Sequence, residues 1–200
     1  MICPIPLGHI LFLYIMVDLF NYTRRTSSVA HVGELDLGGN NPIRIQSMTT
    51  TNTNDTEACV HQAEEIIKAG GELVRFTTQG SREAENMKNI NAGIRADGYN
   101  TPLVADIHFN PNVADVAALY CEKVRINPGN YVDPARKFIK QEYTDEEYAH
   151  ELQKIEERFV PFLNICKENH TAIRIGVNHG SLSDRIRNRY GDTPEGIVES

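Results

Sequence analysis

The stretch that most constrains the fold is residues 102–130, PLVADIHFNPNVADVAALYCEKVRINPGN, because it reads as one complete strand-helix-strand unit. Residues 103–109 are a short apolar run with β-branched members, which predicts a strand, and alternation along it puts Asp106 and His108 on one face. Asn110-Pro111-Asn112 ends that strand, Asn112 is placed to cap a helix, and Val113, Val116, Ala117 and Tyr120 then recur at helical spacing. Residues 123–127 are the next predicted strand, with Val124 and Ile126 on one face and Arg125 and Asn127 on the other, before the turn Pro128-Gly129-Asn130. Two strands joined by a helical crossover of this length form a right-handed parallel pair. In helix-covered parallel sheets the chemistry lies beyond the carboxyl ends of the strands, and here those ends carry Asp, His, Arg and Asn.

The same alternation runs along most of the chain. Residues 41–48 hold the first predicted strand, IRIQSM, after the turn Gly38-Gly39-Asn40-Asn41-Pro42. A polar loop over 49–54 leads to a helix opened by Asp55, with Ala58, Val60, Ala63, Ile66 and Ile67 towards a core and Gly70-Gly71 as its stop. Residues 73–77, LVRFT, form the second strand, in which Arg75 shares a face with Leu73 and Thr77, an odd place for a charge on a plain core face. Ser81 is placed to cap the next helix, whose stripe is Ala84, Met87, Ile90 and Ile94 and whose end is Gly98. Thr144 opens the longest helix with a capping box to Glu147, Leu152, Ile155, Phe159, Phe162 and Leu163 mark its buried side, and Pro161 is expected to kink it. Residues 172–178, AIRIGVN, are the fifth strand, with Arg174, Gly176 and Asn178 on one face, and a basic helix start, DRIRNRYG, follows.

Five such alternations mean an α/β protein, either a doubly wound sheet or a barrel. Polar residues at the end of every strand favour the TIM-type (β/α)8 barrel, whose site is assembled from several strands. Five strands cannot close one, so the expectation is the N-terminal part of a barrel, about five βα units over residues 17–200.

Two hundred residues, 40% of them hydrophobic and 24% charged, suffice for one domain with a real core. A net charge of -7 with scattered Lys and Arg argues against a nucleic-acid partner or a polybasic membrane patch, while leaving room for a locally positive cleft. Cys3, Cys59, Cys121 and Cys166 lie far apart without a Cys-x-x-Cys pair, so by themselves they make no zinc or iron-sulfur ligand run and read as buried thiols of a reducing compartment. The apolar run 5–17 has no basic residue before it, no small-residue cleavage site after it and little length for a bilayer, so residues 1–16 are expected to be an extension ahead of a start at Met16, with no membrane attachment.

Gln46, Arg75, Asp106, His108, Arg125, Asn127, Arg174 and Asn178 all fall near carboxyl ends of predicted strands. Three arginines converging in one barrel mouth call for an anion, and guanidinium forks with Asn donors match phosphate or diphosphate. An Arg75–Asp106 ion pair inside a barrel layer is the plainer alternative, although one Asp cannot balance three Arg. His108 has three open roles: substrate contact, structural hydrogen bond, or half of a metal site with Asp106.

The runs IRIQSMTTTNTNDTEACV, ELVRFTTQG, PLVADIHFNPNVADVA, KVRINPGN and IRIGVNHGSLSDRI, in this order, resemble the N-terminal barrel of the 4-hydroxy-3-methylbut-2-enyl diphosphate synthase family, and ERFVPFLNICKENHTAIRIG is similar to its larger plant and bacterial form. The resemblance covers residues 17–200. It implies reductive ring opening and dehydroxylation of 2-C-methyl-D-erythritol 2,4-cyclodiphosphate to 4-hydroxy-3-methylbut-2-enyl diphosphate, a step of non-mevalonate isoprenoid synthesis, and the first residues, without the Arg- and Ser-rich character of a transit peptide, point to a bacterial cytoplasm. It further implies a [4Fe-4S] cluster and ferredoxin or flavodoxin as electron donor, and a homodimer is compatible with it. By motif, Arg75, Arg125, Asn127, Arg174 and Asn178 resemble the diphosphate-binding set, with Asp106 and His108 as polar groups at the reacting end. The family's cluster ligands, three Cys and a Glu, have no match among the four Cys here, so the inserted domain and the C-terminal iron-sulfur domain are expected outside this chain, which alone would not catalyse the reduction. The rival readings are a dihydropteroate-synthase-like transferase, which also joins a parallel barrel to an anion site, and a non-catalytic barrel fragment that binds phosphorylated metabolites.

Overall fold

The structure, a computed structural model, describes residues 25–107, 110–132 and 142–200. His108, Cys3, the apolar run 5–17 and Met16 lie outside the described residues. A two-stranded antiparallel hairpin comes first, β1 (Val29–Val32) and β2 (Leu35–Gly38). Strands and helices then alternate: β3 (Gln46–Met48), α1 (Thr56–Lys68), β4 (Leu73–Thr78), α2 (Ser81–Ala96), β5 (Leu103–Ile107), α3 (Pro111–Ala117), β6 (Lys123–Ile126), α4 (Asp145–Glu168), β7 (Ala172–Ile175), α5 (Asp184–Tyr190) and α6 (Pro194–Glu199).

Strands β3 to β7 make one parallel sheet in the order β3-β4-β5-β6-β7. A doubly wound sheet reverses its strand order at a switch point, and this one does not. The steady progression is that of a partial (β/α) barrel. Alternation sends Val74, Phe76, Leu103, Ala105, Ile107, Val124 and Ile126 to the outer face, where they pack with Ala63, Met87, Ile90, Ile94, Val113 and Phe162 of the helices. On the inner face Leu73 and Val104 pack with Val32, Leu35 and Leu37 of the hairpin and with Ala172, so the hairpin stoppers the amino-terminal end of the strands.

That hairpin is absent from the sequence reading, although VAHV and LDLG flank a two-residue Gly33-Glu34 connection, a legible turn signal. Gly33 sits at φ +57, a conformation that β-branched and bulky residues avoid. The first barrel strand is also shorter than predicted and begins at Gln46. Ahead of it, the Ile45 N–H is taken by the Glu72 carboxylate at 2.9 Å, which also holds the Arg44 guanidinium at 2.9 Å, so a side chain stands where ladder pairing was expected.

Three helix details correct the sequence reading. The N-cap of α2 is Gly80, and Ser81 is already helical and caps nothing. Asn110, not Asn112, caps α3, its side chain accepting the Asn112 N–H at 3.1 Å, because Pro111 fills the first helical position. On α4, Phe159, Phe162 and Cys166 turn to the core while Leu152 and Leu163 are 41% and 38% exposed, since no described element lies over their side. Asp55 caps α1 and the Thr144–Glu147 capping box forms as read, and α4 continues through Pro161 as one helix.

Candidate functional site

The sheet register builds the site row by row. Arg75, Val104, Lys123 and Ala172 are successive partners across β4 to β7, and two residues further along each strand Thr77, Asp106, Arg125 and Arg174 are partners in the same way. Both rows share the inner face, because side chains two apart in a strand point the same way. The carboxyl end of β4 is held by the polar loop after β3. Thr53 Oγ1 donates to the Thr77 carbonyl at 2.6 Å, Thr49 Oγ1 to the Arg75 carbonyl at 3.4 Å, and Asn86 Nδ2 secures the Thr53 carbonyl at 2.8 Å.

Asp106 is the hub. Its side chain is 2% exposed, and its two carboxylate oxygens receive one guanidinium each: Arg75 Nη2 donates to Oδ2 and Arg125 Nη1 to Oδ1 at 3.4 Å. Arg125 is further tied by Nη2 to the Gly176 carbonyl at 2.6 Å. Gly176 is buried against that guanidinium, and a Cβ there would lie 1.9 Å from Arg125 Nε, so only glycine leaves room for the arginine to cross the β7 backbone. The Arg75–Asp106 ion pair, the plainer alternative from the sequence, therefore exists, and Arg125 shares it.

The pairing leaves positive charge over. Arg174 is exposed and has no ion pair among the described residues. Lys123, which the sequence reading passed over, is 7% exposed on the same inner face, with Nζ donating to Gln46 Oε1 of β3 at 3.2 Å. Burial, reinforced by Arg174 and Arg75, pushes its ammonium down to about 8. Its alternation with Arg125 and Asn127 was the signal that could have found it. Arg75 Nε is buried without a partner. Four cations thus face one carboxylate among the described residues of this wall.

The structure brings Arg75, Asp106, Arg125 and Arg174 together on the inner face, with Arg75, expected near the carboxyl end of its strand, in the middle of β4 and one row below the other three. Asn127 ends β6, with Nδ2 donating to Ser181 Oγ and Oδ1 accepting from Ser200 Oγ, both at 3.4 Å. Asn178 is exposed after β7, its carbonyl accepting from the Ser181 N–H at 3.0 Å and Ser181 Oγ at 3.1 Å. Ser181 thereby links the two asparagine positions.

The described cysteines do not belong to this wall. Cys59, Cys121 and Cys166 are buried in the outer core between sheet and helices, and burial raises each thiol, Cys166 up to about 12. Among the described residues no three His, Cys, Asp or Glu side chains cluster to hold a metal, and no helix is long and apolar enough to cross a membrane.

A strand progression without reversal and an inner face crowded with basic residues define a barrel family as much as a site. The model of the GcpE TIM-barrel domain matches residues 26–200. This chain belongs to that family. Proteins named 4-hydroxy-3-methylbut-2-en-1-yl diphosphate synthase (flavodoxin) are similar to it: that of Phocaeicola vulgatus is 76% identical over 184 residues, 92% of this chain and 30% of its own length. That of Bacteroides thetaiotaomicron is 74% identical over the same shares, and that of Akkermansia muciniphila 54% identical over 181 residues, 90% of this chain and 31% of its own. The chain spans about 30% of the length of the curated relatives it matches. Among solved structures, a Burkholderia cenocepacia dihydropteroate synthase complexed with 7,8-dihydropteroate aligns with a TM-score of 0.45 and 15% identity over 87% of this chain and 75% of that one, a likeness that carries no argument about chemistry.

Proposed function

We propose that this chain supplies the diphosphate-binding barrel of a 4-hydroxy-3-methylbut-2-enyl diphosphate synthase, the enzyme that opens the ring of 2-C-methyl-D-erythritol 2,4-cyclodiphosphate and removes a hydroxyl in isoprenoid precursor synthesis. The observation that carries this reading is the unbalanced inner wall, where Arg75, Lys123, Arg125 and Arg174 meet Asp106 alone among the described residues. A cyclic diphosphate is a compact polyanion, and fixed guanidinium donors in a partly desolvated mouth recognise it well. The names of the relatives support the same chemistry and leave the transferase alternative without support of its own.

In this reading Arg75, Arg125 and Arg174 hold the phosphate oxygens, and Asn127 and Asn178 add neutral donors at the rim. Asp106 fixes the orientation of Arg75 and Arg125, and Asp106 and His108 are the polar groups assigned to the reacting end, to hold or pass a proton at the departing oxygen. The [4Fe-4S] cluster that the family uses would supply the two electrons. The described residues offer no ligand set for it, and in this reading its ligands are carried by a further domain. Residues 17–200 are then the barrel portion and 1–16 an extension, with an inserted domain and a cluster domain completing a bacterial cytoplasmic enzyme. Flavodoxin is the donor that the relatives' names support, and ferredoxin is the alternative.

The test is the complete gene product, reconstituted with iron and sulfide under anaerobic conditions and supplied with reduced flavodoxin and the cyclodiphosphate. Formation of 4-hydroxy-3-methylbut-2-enyl diphosphate, followed by mass spectrometry, is expected. A cluster-loaded protein that leaves the cyclodiphosphate untouched overturns the reading.

A further inference from the structure

Lys123 is the one buried basic residue of the inner wall that has no ion pair among the described residues. It lies in the same register row as Arg75, with Val104 between them, and Ala172 flanks it on the other side. A buried lysine is normally balanced by a carboxylate, because an ammonium withdrawn from water is costly. Here its only hydrogen-bond partner among the described residues is the neutral Gln46 amide oxygen at 3.2 Å. The groups around it are Gln46 from β3, Arg75 from β4, Val104 and Asp106 from β5, Arg125 on its own strand and Arg174 from β7. The one carboxylate of that set, Asp106, is already bonded to both Arg75 and Arg125. Arg75 Nε, in Lys123's own row, is buried with no acceptor. Two buried cationic groups short of an acceptor, one row below the Arg125–Arg174 pair, describe a place prepared for a second set of anionic oxygens.

We propose that Lys123 is a further diphosphate-binding residue, reaching from the barrel floor to the deeper of the two phosphates while Arg125 and Arg174 hold the outer one. This deepens the cyclodiphosphate reading and rests on it. A consequence separates Lys123 from the arginines, which stay charged throughout the accessible pH range. With the site free, its ammonium is pushed down to about 8 by burial and by Arg174 and Arg75. A bound phosphate reverses that push, so at pH 8.5 the free protein, with Lys123 partly deprotonated, takes up a fraction of a proton as the ligand enters. The contribution of Lys123 to affinity is therefore fullest below about pH 8 and falls as pH rises above it.

The experiment is titration calorimetry of the complete gene product with inorganic diphosphate, in two buffers of different ionisation enthalpy, for the wild type, Lys123→Met, Lys123→Arg and Arg125→Ala. Met keeps the length of the buried stem and removes a cation from a crowd of cations, so the variant is expected to melt no lower than the wild type. At pH 7 Lys123→Met should bind about tenfold to a hundredfold more weakly, the usual scale for a lost hydrogen bond to a charged group. At pH 8.5 it should take up fewer protons than the wild type, the ligand's own titration cancelling in the comparison. Lys123→Arg should keep much of the affinity and lose the extra proton uptake. Wild-type affinity and wild-type proton uptake in a folded Lys123→Met, with binding abolished in Arg125→Ala, overturn the role of Lys123 and leave the diphosphate site standing. Absence of diphosphate binding in the wild type, or wild-type binding in Arg125→Ala, removes the diphosphate reading itself and Lys123 with it.

Discussion

Arg125 is fixed from two directions, by Asp106 on the preceding strand and by the Gly176 carbonyl on the following one, and its side chain is only 12% exposed. An arginine so constrained presents its remaining donors at little further entropic cost, which is what a binding residue needs. Arg125→Ala should weaken cyclodiphosphate binding by about 2 to 5 kcal/mol, the range for a buried charged contact truncated on one side, and should leave Asp106 with one partner fewer. Gly176→Ala tests the same point without touching a charge. The new methyl would displace the guanidinium, so its loss of affinity should approach that of Arg125→Ala, and combining the two should add little because they act through one group. Calorimetry on the two single variants and the double variant measures this, and full additivity would show that Gly176 does not act through Arg125.

At the scale of elements, the chain repeats one device at the amino-terminal ends of its strands. Glu72, just before β4, takes the Ile45 N–H and Arg44, while Glu122, just before β6, takes the Leu103 N–H at 2.7 Å and Arg95 at 2.8 Å. Each carboxylate thus ties one strand start to its neighbour at the end away from the site. Helix starts other than that of α2 are secured by side chains too, most completely at α4, where Thr144 Oγ1 accepts the Glu147 N–H at 3.2 Å and Glu147 returns a bond to the Thr144 N–H at 2.8 Å. Thr144→Ala should cost about 1 kcal/mol of stability and leave ligand affinity unchanged, since α4 packs on the outer face through Phe159 and Phe162. Chemical denaturation read alongside diphosphate titration checks both halves of that expectation.

Among the described residues, the molecule has two different faces and two open sheet margins. Helices cover the outer face of the sheet, the hairpin stoppers one end of the inner face, and the basic wall occupies the other. Strands β3 and β7 each have one paired neighbour in the five-stranded sheet, and Ile43 and Ile45 beside β3, together with Ile175 on β7, are exposed. Unpaired strand margins with apolar side chains template association. The 200-residue chain expressed by itself is therefore expected to bind an apolar fluorescent dye and to self-associate with concentration, and a longer product carrying further barrel strands to do neither. Dye titration with light scattering on the two lengths decides it, and a monomeric, dye-silent 200-residue chain would show that these margins are covered in another way.

Much of this was legible in the sequence because it depends on local order. Strand alternation placed Arg75, Asp106, Arg125 and Arg174 on one face, helical spacing found the stripe of α2, and Asp55 and Thr144 announced their helices. The hairpin was legible too, in its Gly33-Glu34 turn, and Lys123 in its alternation with Arg125, yet neither stands out until its surroundings are known. A lysine in a strand is ordinary, and only the tertiary structure shows it buried, with no carboxylate partner among the described residues, beside two arginines. The same holds for Gly176, whose meaning lies in an arginine 51 residues earlier in the chain. Periodicity determines which way a side chain faces within its own element. Which charges meet, how many are balanced and what space is left between them depend on the register of four strands at once, and that is settled only when the sheet assembles.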